Sequence, residues 1–171
     1  ARDFWGQRFG DPDAVGTYRP LVTLSFWLEV HLVESTRLMH ATNLALYAAV
    51  LFAGERFLRR FAPTSEGSRL LAVAAFGALA IHTDVVPSIT GRSELLASAL
   101  TLIALERAIA AVEGGGWGAV VTACVAAIGA MSSKESAFAT TLVLPWVAAR
   151  RPQASRPKVL ALAVGTVVPL A

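Results

Sequence analysis

From residue 38 onward, long apolar stretches alternate with brief polar breaks, and this alternation constrains the fold more than any other feature. Hydrophobic residues make up 55% of the 171 residues, whereas charged residues make up only 16% and lie mainly in the breaks. A soluble domain of this length would cover one core with a polar surface, for which this composition is unsuited. Because most stretches approach the length that crosses a bilayer, the pattern predicts an integral membrane protein.

The predicted fold is all-α, a polytopic transmembrane helix bundle of about six spans over residues 37–171. The expected crossings cover about residues 38–58, 69–86, 92–112, 117–132, 135–149 and 158–171. Residues 1–36 are expected to form a separate extracytoplasmic loop, because the first twenty are polar and rich in Gly, Asp and Pro. With no initiator Met and no flank after the last apolar run, we expect the chain to be truncated at both ends.

The apolar stretch over residues 21–34 is too short to cross a bilayer, so it predicts a helix that lies at the membrane interface. Trp27 is a candidate headgroup anchor, and Glu29 and His31 are assigned to the wet face of this helix. The lone Cys124, within an apolar run, is interpreted as a packing residue. No basic stripe is interleaved with aromatic residues, so the sequence predicts no nucleic-acid partner.

Lysine and arginine are distributed unequally between alternate breaks, and this asymmetry predicts the orientation. Most of them flank the breaks after the first, third and fifth apolar stretches: Arg56, Arg59, Arg60, Arg69, Arg107, Arg150, Arg151, Arg156 and Lys158. Basic flanks favour the cytoplasmic side. Three segments are therefore expected to face the periplasm of a bacterial inner membrane, or an equivalent lumen. They are the N-terminal loop, residues 82–92 and residues 132–136.

The ionisable and amide side chains that are unusual in so apolar a chain gather at this expected outer face. They are Arg19, His40, Asn43, His82, Asp84, Arg92, Glu94, Lys134 and Glu135. Each has an ordinary alternative reading: the bases as headgroup-contacting flanks, the acids as first-turn residues favoured by the helix dipole. However, three predicted spans begin at this face, and helix N-termini with neighbouring basic residues favour a bound phosphate. The shared position, rather than any single residue, predicts a site.

Several short motifs occur in a fixed order along residues 3–137. They are DFWG at 3–6, YRPL at 18–21, LSF at 24–26, MHATN at 39–43, HTDVVPSITGRSELLA at 82–97 and SKES at 133–136. Together they resemble the membrane portion of the transmembrane and tetratricopeptide-repeat O-mannosyltransferases and their bacterial relatives. The resemblance implies a GT-C type glycosyltransferase that moves a sugar, mannose, from a polyprenyl-phosphate donor in the membrane to a protein hydroxyl or glycan acceptor on the extracytoplasmic side. Tetratricopeptide repeats usually follow the membrane portion in this family, and none occur in this chain.

The chain also departs from the family pattern at several positions. Leu79 and Ala80 replace a His-Pro pair, Asp84 replaces a Glu, and Tyr47 replaces a second His. The acidic pair that the family is thought to use as catalytic base would lie before Ala1. We therefore expect this piece of the enzyme to lack that pair.

The expected chemistry assigns roles to the clustered residues. Arg92, with the adjoining helix start, is predicted to bind the donor phosphate, followed by Arg19 and Lys134, because stabilising a leaving phosphate needs preorganised positive charge. His82 and Asp84 are the catalytic candidates, which would orient the sugar phosphate or bind a divalent metal ion. Two such ligands are fewer than a metal site usually has, so no metal is assigned. Supporting positions are predicted for Glu94, Glu135, His40 and Asn43.

Two other functions stay open on the sequence. The cluster could line the cavity of a transporter or flippase, since ionisable groups within membranes also mark transport paths. Against transport, the charges lie at one face, and no predicted span is interrupted by Gly or Pro at its centre. A non-catalytic scaffold is the other alternative, favoured by the missing His-Pro pair.

Overall fold

The computed structural model describes residues 19–32, 35–62, 64–79, 85–88 and 91–167, and its regular elements there are all helical. Their bounds are α1 Pro20–Leu32, α2 Thr36–Phe61, α3 Glu66–Gly77, α4 Arg92–Val112, α5 Gly116–Met131, a 3-10 helix Glu135–Ala139, α6 Thr140–Ala149 and α7 Arg156–Val167. This confirms the predicted all-α class. The two catalytic candidates of the predicted site, His82 and Asp84, lie outside the described residues.

Helix α4 is the centre of the bundle and packs against α2, α5 and α6, with α7 contacting it more lightly. Its buried face is made largely of alanine, including Ala104, Ala108 and Ala111, which pack with Ala123 and Ala127 of α5. Small side chains let two helix backbones approach closely. Helices in a membrane associate through such close packing, because the hydrophobic effect does not drive helix association in lipid. The alanine-rich stretches of the sequence therefore form the helix interfaces.

Successive helices from α2 onward reverse direction at each break. The start of α2 meets the start of α4 through Asn43 and Arg92, and the ends of both helices meet through Arg60 and Glu106. Lys158, at the start of α7, donates to the carbonyl of Ala111 near the end of α4. Two polar ends result, one at the N-terminus of α4 and one at its C-terminus, and we call them the N-end and the C-end.

The turn between α4 and α5 shows why glycine is needed there. Gly114 has φ of 108°, a left-handed conformation that side chains disfavour, and the N–H of Gly115 donates to the carbonyl of Ala110 at 2.8 Å. This is the Schellman arrangement that ends helices at glycine. Glu113, Gly114 and Gly115 therefore connect α4 to α5, which begins at Gly116.

Helix α4 is the one described helix that is both long and apolar enough to cross a membrane, with a mean hydropathy of 1.9. Helices α1 and α5 are apolar but shorter. Large apolar side chains nevertheless cover the outside of the other helices: Leu44, Phe52, Leu71, Val125, Leu142 and Leu160 are between 61% and 76% exposed. So wide an apolar surface indicates contact with lipid or protein rather than water.

Several sequence-based boundaries differ from the structure. The helix predicted over 69–86 ends at Gly77; farther along the chain, Val85 is helical and Val86 and Pro87 form a turn. The span predicted over 135–149 is divided into the 3-10 helix and α6, and Pro145 lies inside α6. A proline removes one backbone donor and ends or bends a helix. Helix α6 nevertheless continues through Pro145 to Ala149, so the structure shows no break at this proline.

Candidate functional site

The N-end is assembled around a tight turn that leads into α4. A Cβ atom added to Gly91 would lie 2.0 Å from the carbonyl oxygen of Val85, so a residue with a side chain cannot replace Gly91 without moving the backbone. The buried Asn43 fixes the same turn from α2, because its Nδ2 donates to the carbonyl oxygens of Ser88 at 2.8 Å and Val86 at 3.4 Å. These contacts aim the first residues of α4 at α1 and α2.

Arg92, the first residue of α4, is completely buried and surrounded by acceptors. Its Nη1 lies 2.7 Å from Glu29 Oε2, its Nε donates to Asn43 Oδ1 at 3.1 Å, and its Nη2 donates to the carbonyl of Met39 at 3.2 Å. Ser25 accepts from Nη1 at 3.4 Å, and the guanidinium carbon lies 4.2 Å from the centroid of the Phe26 ring. A buried charge is costly unless it is paired and hydrogen-bonded in this way.

Two further ion pairs lie beside Arg92 and are partly exposed. Arg19 donates from Nη2 to Glu135 Oε2 at 3.0 Å and from Nε to Oε1 at 3.3 Å, a two-point pairing, and its Nη1 donates to Ser93 at 3.3 Å. Lys134 pairs with Glu94. The side chains of Arg19 and Lys134 are 32% and 25% exposed, respectively, so an incoming ligand could reach both.

The structure thus brings together the residues of the predicted cluster that it describes, with one exception. Arg19, Asn43, Arg92, Glu94, Lys134 and Glu135 all meet at the N-end. His40 lies on α2 nearby, but its side chain is exposed, and among the described residues no hydrogen bond or ion pair joins it to the cluster. No group of three or more His, Cys, Asp or Glu that could hold a metal occurs among the residues described here.

Sequence reasoning missed Glu29 and Ser25. Glu29 was assigned to the wet face of α1, which is wrong, because only 9% of the residue is exposed and its carboxylate pairs with Arg92. A signal for this pair was present: Ser25 and Glu29 are four residues apart and so share one helix face. What the sequence could not provide is the rotation that turns this face toward α4.

A groove of about 380 Å³ runs from the N-end along α4. Glu94 lies at one end of it, and Ser98, Thr101 and Leu102 of α4 continue its floor. The other walls come from α2, α3 and α6, with Phe76 and Val143 among the lining residues. An apolar groove that begins at a charged cluster fits an amphiphile with a polar head and a long apolar tail.

Several known proteins are similar to this chain in sequence. A protein O-mannosyl-transferase of Caenorhabditis elegans is 30% identical over 108 residues, which cover 61% of this chain and 16% of the relative. Protein O-mannosyl-transferase Tmtc2 of Drosophila melanogaster is 31% identical over 160 residues, 84% of this chain and 16% of the relative. Protein O-mannosyl-transferase TMTC3 of Mus musculus is 33% identical over 103 residues, 60% and 11% of the two chains.

The chain is a relative of the protein O-mannosyl-transferases. This confirms the resemblance drawn from the ordered motifs. The chain spans about a sixth or less of the length of these relatives, so it corresponds to one part of such a protein. No protein-family model matches it, and no solved structure matches it either.

Proposed function

We propose that this chain is part of a polytopic membrane glycosyltransferase that moves mannose from a polyprenyl-phosphate donor to a protein hydroxyl. The N-end is the donor site and faces the extracytoplasmic side. The observation that carries the proposal is the convergence of two partly exposed cations, Arg19 and Lys134, beside the buried Arg92 at the start of one apolar helix. The names of the similar proteins supply the reaction class, and the groove along α4 suits the isoprenoid tail.

Direct contact with the donor phosphate belongs to Arg19 and Lys134 in this proposal. Both are partly exposed and paired with exposed carboxylates, Glu135 and Glu94, which a phosphate could displace. The N-terminus of α4 adds partial positive charge at the same place. As the bond from sugar to phosphate breaks, negative charge grows on the phosphate oxygens, and fixed cations stabilise it.

Arg92 was the first phosphate ligand predicted from the sequence, but its surroundings differ from those of Arg19 and Lys134. Its N–H groups point at protein acceptors and its side chain is buried. We assign it the role of joining α1, α2 and α4 so that Arg19 faces the donor. His82 and Asp84 stay the proposed groups that orient the sugar phosphate.

The decisive test is a transfer assay with labelled polyprenyl-phosphate mannose, using the intact protein that contains this chain, purified and reconstituted in lipid. Arg19→Gln and Lys134→Gln should each lower the transfer rate by roughly 100-fold, the usual scale when one preorganised electrostatic contact is removed. Arg150→Gln, an exposed arginine at the C-end, is the matched control and should retain transfer. Thermal unfolding of each variant would separate lost chemistry from lost folding.

Contrary results would be specific. Wild-type transfer by folded Arg19→Gln and Lys134→Gln would remove both residues from the donor site. If the wild-type protein moved the lipid-linked sugar across the bilayer without attaching it to an acceptor, the transporter alternative would replace the glycosyltransferase. If the protein did neither while folded in the bilayer, the scaffold alternative would stand.

The sidedness can be tested by cysteine labelling. In a Cys124→Ala background, Ser136→Cys at the N-end and Thr64→Cys at the C-end place one thiol on an exposed position at each end. In intact cells, a membrane-impermeant maleimide should label Ser136→Cys and leave Thr64→Cys unlabelled until the membrane is opened. The reverse pattern would invert the topology, and labelling of both in intact cells would refute a bilayer between them.

A further inference from the structure

We propose that the C-end binds the headgroup of an anionic phospholipid. A cavity of about 580 Å³ opens there between the end of α2, the end of α4 and the break that follows α6. Four arginines line it together with two glutamates: Arg56, Arg59, Arg60 and Arg151, with Glu106 and Glu113. The proposal rests on the membrane placement argued above but not on catalysis at the opposite end.

Arginines outnumber carboxylates in this cavity, although Arg59 also pairs with Glu55 just outside it. Glu106 is 4% exposed, and this single buried carboxylate receives Arg60 Nε at 2.6 Å, Arg56 Nη2 at 3.4 Å and Arg107 Nη2 at 2.7 Å. Glu113 lies 3.5 Å from Arg60 Nη1 and 3.9 Å from Arg151 Nε, which are long contacts. The cavity therefore retains excess positive charge on planar groups that bind phosphate oxygens two at a time.

The cavity is also held in shape by contacts that need no ligand. Arg151 donates from Nη2 to the carbonyl of Arg60 at 3.1 Å, and its guanidinium carbon lies 5.6 Å from the centroid of the Phe61 ring. Phe61 in turn stacks on Phe57 at 5.1 Å between ring centroids. The break after α6 is thus fixed against the end of α2, so the guanidinium groups converge before any anion binds.

A lipid is favoured over a soluble phosphate by the apolar surface next to the cavity. Phe61 at its edge is 47% exposed and Phe52, farther along α2 toward the middle of the bundle, is 62% exposed. The Arg56 guanidinium lies 5.9 Å from the Phe52 ring centroid, so charge and exposed aromatic surface are adjacent. Basic pockets between membrane helices on the cytoplasmic side commonly hold anionic headgroups in this way.

The test uses the intact protein in nanodiscs of phosphatidylcholine that contain increasing fractions of spin-labelled phosphatidylglycerol. We expect phosphatidylglycerol to be immobilised in preference to phosphatidylcholine. The double variant Arg56→Gln/Arg151→Gln should weaken this preference by roughly 25-fold, since one surface cation contributes on the order of fivefold. Arg150→Gln is the control: it removes the same charge one residue away, where the arginine covers Trp146 and does not line the cavity.

Each other outcome contradicts the proposal at a defined point. An equal loss in Arg150→Gln and Arg151→Gln single variants would show general surface charge instead of a site. Competition by millimolar glycerol 3-phosphate as strong as that by the lipid would show a soluble phosphate ligand. A protein that enters the bilayer with no preference for phosphatidylglycerol would refute the headgroup site alone, whereas failure to enter the bilayer would refute the membrane placement as well.

Discussion

The two ends of the bundle treat charge in opposite ways. At the N-end each described carboxylate pairs with a base, in the pairs Arg92–Glu29, Arg19–Glu135 and Lys134–Glu94, and the first pair is buried. At the C-end a single buried carboxylate, Glu106, receives three arginines, and nine basic and four acidic described side chains gather there. Balanced pairs suit a site whose cations a ligand can capture by displacing carboxylates, whereas surplus charge suits a permanent contact with an anionic surface.

The largest expected difference between the ends concerns stability. Arg92→Ala leaves Glu29 buried without its partner and should lower the free energy of unfolding by about 3–5 kcal/mol, the usual cost of breaking a buried ion pair. Arg60→Ala at the C-end should cost about 1 kcal/mol or less, because Arg60 is 36% exposed and Glu106 keeps Arg107. Chemical unfolding of the purified protein in detergent would measure both values.

A double variant sharpens this first prediction. Replacing both partners, in Arg92→Met/Glu29→Leu, removes the pair without leaving a lone charge, so it should recover much of the stability that Arg92→Ala loses. Equal losses in Arg92→Ala and Arg60→Ala would mean that the two ends do not differ in how deeply they bury their charges.

A smaller effect is expected at Asn43, which connects α2 both to Arg92 and to the turn before α4. Asn43→Leu leaves one Arg92 donor and the Ser88 carbonyl without this partner, and it should lower the free energy of unfolding by about 1–3 kcal/mol. Tyr47→Phe, on the same helix, removes the hydrogen bond to the Gly77 carbonyl and is the comparison, at about 1 kcal/mol.

The Asn43→Leu and Tyr47→Phe variants also test whether the turn before α4 positions the donor site. In the transfer assay, Asn43→Leu should lower activity because it frees the segment that leads to Gly91, whereas Tyr47→Phe should leave activity near wild type. Equal activity in both folded variants would show that the turn does not position the donor site.

The smallest effect is expected for Arg59→Gln at the C-end. Arg59 pairs with Glu55 one turn earlier, at 2.6 Å, but its side chain is 60% exposed. Exposed pairs of this kind contribute little, and water replaces them. The thermal midpoint should match wild type within error. A clear drop would show that the C-end depends on its exposed ion pairs, as the N-end depends on its buried one.

Prediction from the sequence succeeded where it rested on local patterns. The apolar stretches gave the positions of α2, α4, α5 and α7 closely. It was less accurate at α3 and at the division between the 3-10 helix and α6, because apolar composition alone does not show where a backbone stops being helical. The gathering of Arg19, Lys134 and Glu135 with Arg92 was also predictable, since all lie beside breaks on one predicted side.

What the sequence by itself determined is which segments are helical and which charged residues share an end, because both follow from the order of apolar and polar residues along the chain. Only the tertiary structure decided the pairing within each end. Whether Glu29 faces water or Arg92, and whether Arg92 is a free cation or a buried one, depends on how α1 is rotated about its axis against α2 and α4. That rotation is set by packing between segments distant in sequence, and no local pattern encodes it.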